Sequence, residues 1–112
     1  PLAIFTMRSN MLIDDKQLKT KPKKVGKLGK HDVMMYSTKG GLVVLSTAKD
    51  GKLNEIIGMG PHRAIAYMTA QQRKPEIEIT ALSKSEMGDP TYNERILPQY
   101  LQMVEDANKL VK

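Results

Sequence analysis

A chain of 112 residues, 40% hydrophobic and 27% charged, has the length and composition of one globular domain spanning 1–112 and stands apart from the disordered class. The absence of cysteine excludes disulfides, thiolate catalysis and cysteine-bound zinc, and His31 and His62 are the only imidazoles, so neither a metal nor a cofactor is expected. The net charge of +6 points toward anionic partners, while the longest apolar runs, about five residues, fall far short of the ~20 that cross a bilayer as a helix.

The chain opens with Leu2–Met7, an apolar run of strand formers that Met11–Ile13 extends beyond a turn at Ser9-Asn10. Its first seven residues, PLAIFTM, resemble the start of the tautomerases, which use an N-terminal proline at the head of a strand as their base. That resemblance implies a small catalyst with Pro1 as the base. It also implies a helix after the first strand, where this chain instead carries Pro22, Gly26 and Gly29. Pro1 read as a processed terminus implies an exported or periplasmic protein, and otherwise a cytoplasmic one.

The segment from Lys16 to Lys30, KQLKTKPKKVGKLGK, holds seven lysines and no acid, and the rest of the chain is close to neutral. Pro22, Gly26 and Gly29 break both helix and ladder, so the segment reads as a long mobile loop. Its lysines, Lys19, Lys21, Lys23, Lys24, Lys27 and Lys30 among them, are either a solvated surface or a polyanion-binding arm. Such an arm would meet nucleic acid, an acidic protein or an anionic lipid surface with salt-sensitive, sequence-blind affinity. The segment has no arginine for bidentate contacts and no aromatic ring for base stacking. Asp14-Asp15 stands beside it as a local screen.

Val33–Thr38 and Leu42–Thr47 form a hairpin across Lys39-Gly40-Gly41, whose glycines supply the positive φ of a tight turn. Val33, Met35, Leu42 and Val44 alternate with Met34, Tyr36, Val43 and Leu45, so both faces are apolar and the hairpin is expected to be covered on both sides or to form an interface with a protein partner or a second copy. Met34 and Met35 are the candidates for one buried and one interfacial methionine. An Asp50-Gly51 turn leads to a third antiparallel strand over Leu53–Ile57, completing a meander.

The stretch IIGMGPHRA, residues 56–64, then reads as strand end, glycine corner and helix start. A helix N-terminus offers unpaired N–H groups and partial positive charge, which makes Gly60, His62 and Arg63 a candidate anion site. Against a dinucleotide fingerprint, Arg63 stands where a third glycine belongs, and no Gly-Lys-Ser/Thr follows to make a P-loop. The alternative is structural: Gly58 and Gly60 let the chain turn and Pro61 opens the helix. That helix is expected to run to about Arg73, ahead of Pro75, with Ala64, Ile65, Tyr67 and Met68 inward.

Glu76–Leu82 alternates strictly, with Ile77, Ile79 and Ala81 inward, and the preceding helix is long enough for a parallel crossover. Ser83–Leu97 is polar and is expected to wrap the surface. The last helix is expected from Pro98, with Tyr100, Leu101, Val104, Ala107 and Leu110 on one stripe and Glu105–Lys109 as an exposed pair. The chain is thus read as α+β, an antiparallel sheet of four to five strands with two helices, one C-terminal. The function expected is a non-enzymatic binding domain for an anionic or protein partner, and the alternative is a small enzyme built on Gly58–Arg63 or on Pro1.

Overall fold

The computed structural model describes residues 18–79 and 84–110. Strands β1 (Lys23–Leu28), β2 (His31–Ser37), β3 (Val43–Lys49) and β4 (Lys52–Gly60) follow one another, then helix α1 (Arg63–Arg73), strand β5 (Glu78–Ile79), and helices α2 (Lys84–Met87) and α3 (Pro90–Leu110). The five strands form one antiparallel sheet in the order β4-β3-β2-β1-β5, and the fold is α+β. The strand expected over Leu2–Met7, Pro1 at its head, Asp14-Asp15 and Lys16 all lie outside the described residues.

The meander forms because period-two hydrophobicity coincides with two-residue turns. Between β3 and β4, Asp50 and Gly51 both have positive φ (54° and 76°), the type I′ geometry whose twist matches that of the strands. Between β1 and β2 only Gly29 is left-handed, with φ of 62°, which is the type II′ pattern. The β2–β3 loop closes on Thr38, whose N–H donates to the Leu42 carbonyl at 2.8 Å and whose hydroxyl accepts the Leu42 N–H at 3.2 Å.

That loop also fixes the register. Met35 lies opposite Leu45 and Tyr36 opposite Val44, so Val33, Met35, Val43 and Leu45 share one face. The grouping expected across the hairpin, with Leu42 and Val44 beside Val33 and Met35, is offset by one residue, a slip that exchanges faces. Both faces are covered, as expected. Val25, Val33, Leu45, Ile57 and Ile77 pack with Ala66, Tyr67 and Ala70 of α1, while Tyr36, Val44, Leu53, Ile56 and Met59 pack with Val104 and Ala107 of α3. Met34 and Met35 point to opposite faces, as expected, and each is half-buried against its own cluster.

Four further expectations are corrected. Lys23–Leu28 is a strand inside the segment expected to be a loop: Val25 and Leu28 face the α1 core, and the breakers sit where they do no harm. Pro22 precedes the strand, Gly29 makes the turn, and Gly26 sits beside a bulge, where an added Cβ would lie 1.9 Å from the Glu78 carbonyl oxygen. The crossover through α1 does not give a parallel pairing. It carries the chain across the whole sheet to the far edge, where Ile79 and Glu78 pair antiparallel with Gly26 and Lys27.

Pro61 is not the first helical residue, because His62 caps α1 in extended geometry without a side-chain bond. The last helix begins at Pro90, eight residues before the expected Pro98, with Pro98 inside it. Asp89 starts it, accepting the Thr91 N–H on its carboxylate at 2.9 Å, and Pro90 takes the first turn, where its missing N–H removes nothing.

The free edge of β4 is closed by side chains. Thr69 of α1 accepts the Met59 N–H at 2.9 Å, and the Asn108 amide of α3 takes both backbone groups of Ile56, accepting its N–H at 3.2 Å and donating to its carbonyl at 2.7 Å. The two helices meet beside this edge, where Arg73 pairs with Glu105.

Candidate functional site

The glycine corner is tightly filled. A Cβ at Gly60 would lie 2.5 Å from Cβ of Ile65, and one at Gly58 would lie 2.3 Å from the Ala66 carbonyl oxygen. Neither glycine has positive φ, so both serve the close approach of β4 to α1 rather than a sharp reversal of the chain. Of the three residues expected to hold an anion, Gly60 is buried, His62 is half-buried and caps the helix, and Arg63 is half-buried.

The Arg63 guanidinium is already engaged. It pairs with the Glu86 carboxylate of α2, donates to the Tyr67 hydroxyl at 3.0 Å and lies 5.4 Å from the centre of the Tyr67 ring. The Tyr67 bond pushes its pKa up first, burial opposes this, and Glu86 adds to the rise, so Arg63 stays charged. A depression of about 320 Å³ opens here between His62, Arg63, Ser85, Glu86 and Gly88. Nearby, the buried Asn93 donates to the Met87 carbonyl at 2.6 Å while its Oδ1 has no partner among the described residues. Glu86 offsets the Arg63 charge, while Arg63 Nε and His62 Nδ1 are buried and find no hydrogen-bond partner among the described residues.

The lysines behave differently. Lys19, Lys21, Lys23, Lys24, Lys27 and Lys30 are all exposed, yet the ladder divides them. Lys24 lies opposite Met34 and Lys27 opposite Asp32, which puts both on the α3 side, whereas Lys23 lies opposite Met35 on the α1 side. Lys19 belongs to the other end of the sheet, where its N–H donates to the Ser37 carbonyl at 2.8 Å and Leu18 bridges Thr38, and Lys21 lies between that end and Pro22.

Antiparallel order brings the β1–β2 and β3–β4 turns to the same end. Lys27 and Lys30 are therefore joined at that end by Lys49 and Lys52, two exposed lysines outside the run that composition singles out; Lys49 follows Ala48 and Lys52 precedes Leu53, so this pair leaves the ladder on the α1 side, opposite Lys27. Lys49 and Lys52 are direct cross-strand partners, a like-charge pairing that destabilises a free ladder. Among the described residues the only lysine ion pair is Lys24–Asp32 at 3.4 Å, both groups about half exposed.

Between the two turns lies a depression of about 520 Å³ with Pro22, Met34, Ala48 and Leu53 as its apolar lining and Lys30, Lys49 and Lys52 around it. Asp32 and Asp50 also border it. No group of three or more histidine, aspartate or glutamate side chains capable of holding a metal occurs among the described residues. No helix among them is long and apolar enough to cross a membrane. Comparison with known proteins finds no matching family model, no similar curated protein and no similar solved structure.

Proposed function

We propose that the chain is a non-enzymatic binding domain that takes a polyanionic partner on the end of its sheet formed by the β1–β2 and β3–β4 turns. The observation that carries this reading is that Lys27, Lys30, Lys49 and Lys52 share that end, unpaired among the described residues, with Lys49 directly opposite Lys52. Two-residue turns hold these positions, so little backbone freedom is lost when an anion docks. An anion between Lys49 and Lys52 converts a like-charge repulsion into two attractions. The absence of arginine from this set favours charge recognition over bidentate readout.

The test is retention on immobilised heparin, duplex DNA and poly-glutamate as a function of salt. The fourfold variant K27Q/K30Q/K49Q/K52Q is expected to lose most retention and to flatten the log–log salt dependence by about 3 units on DNA. The charge-matched control K19Q/K21Q/K23Q/K39Q is expected to lose much less. Equal loss in the two variants would mean that only net charge matters, and the reading would fall.

A further inference from the structure

We propose that the depression between the two turns receives an apolar side chain from an acidic protein segment. This rests on the polyanion reading above and names its partner class. The first argument is the lining: Met34, Ala48 and Pro22 are half-buried and Leu53 is 6% exposed, so the depression has an apolar floor that a chain of phosphates would leave uncovered. Methionine at such a position adapts to the shape of an incoming side chain.

The second argument is the pattern of charge. Lys30, Lys49 and Lys52 line the depression together with Asp50 and with Asp32, which also pairs with Lys24. A uniform polyanion meets repulsion from both carboxylates. A peptide spaces its carboxylates by backbone N–H groups, offering acceptors to the lysines and donors to the aspartates at once. The third argument is how little the lining offers for base stacking: it contains no phenylalanine, tyrosine, tryptophan or arginine, and His31 is its single ring. The volume, about 520 Å³ and open to solvent, suits one side chain and its flanking backbone.

The experiment measures fluorescence anisotropy of three labelled probes with the full chain: a twelve-residue poly-glutamate, the same peptide with one central leucine, and a twelve-base-pair duplex DNA. The leucine peptide is expected to bind about tenfold more tightly than poly-glutamate and more tightly than the duplex, and its advantage is expected to persist as salt rises. Ala48→Leu, which fills the floor, should erase the advantage while leaving poly-glutamate binding within about twofold. Met34→Gln gives a second reading of the same site should Ala48→Leu fold poorly. If leucine confers no advantage, or the duplex binds best, this inference is overturned and the polyanion reading stands. If none of the three probes binds, both are overturned.

Discussion

At the scale of single residues, the corner at Gly58–Arg63 shows how a motif can be legible while its reason is not. Two glycines between a strand and a helix are visible in the sequence, but what they avoid is the Ile65 side chain and the Ala66 carbonyl of the following helix, and no spacing rule carries that information. Gly60→Ala is therefore expected to cost about 2–3 kcal/mol through overpacking, a fall in Tm on the order of 10 °C. A neutral result in thermal unfolding would show that α1 can step back from β4.

Tyr36 carries a second residue-scale prediction. Its hydroxyl shares a 2.8 Å hydrogen bond with Ser46 inside the α3-side core, and burial pushes its pKa well above the usual tyrosine range, with the Ser46 bond acting in the opposite direction. The unfolded chain ionises near pH 10 and the folded one only above it, so this contribution to stability is full below about pH 10 and is lost as pH rises beyond that. Tyr36→Phe should cost about 1–2 kcal/mol at neutral pH by stranding the Ser46 hydroxyl, and should make the alkaline loss of stability shallower in denaturant titrations.

At the scale of elements, the β2–β3–β4 meander is readable because alternation and turn glycines agree. Strand β1 is not, because lysine density masks the two residues that matter, Val25 and Leu28, and because Gly26, beside a bulge, is a glycine for want of room next to the Glu78 carbonyl. The early start of α3 depends on Asp89-Pro90, a dipeptide that marks a breaker and a helix start equally well. Glu105, expected to pair with Lys109, makes its ion pair with Arg73 of α1, and Lys109 adds a weaker favourable charge from the next turn.

The Arg73 bond holds the Glu105 pKa below the usual carboxylate range. The α1–α3 tie therefore contributes above the unfolded glutamate value of about 4.3 and is lost as pH falls through the lower folded value. In Glu105→Gln this acid-side component should disappear from the pH profile of unfolding. Asn108→Ala should cost about 2–3 kcal/mol, since it leaves both polar groups of Ile56 without their partner on the edge strand.

At the scale of the whole molecule, the candidate surface was half legible. Lys27 and Lys30 lie within the charge run, but Lys49 and Lys52 join them only through the antiparallel order of the sheet, and Lys19, Lys21 and Lys23 go elsewhere for the same reason. The free protein and its complex should answer salt in opposite directions. Added salt screens the like charges at the turns and should raise the Tm of the free chain, while it weakens polyanion binding. Lys49→Glu should raise the stability of the free protein by about 0.5–1 kcal/mol, read from its denaturant midpoint, and reduce retention on heparin.

The path of the chain has a kinetic consequence. Pairings among β1, β2, β3 and β4 join neighbours in sequence, whereas the Asn108 clip on Ile56 spans 52 residues and β5 reaches β1 only after α1 has crossed the sheet. Contacts of short span close first at the least loop entropy, so the meander is expected to nucleate folding, with β5 and α3 docking late. Substitutions at Val33 or Leu45 should then slow refolding, and Asn108→Ala should chiefly accelerate unfolding in stopped-flow chevrons. The basic end, complete by Leu53, belongs to the part that forms early, so the charged surface exists before the last helix seals the core.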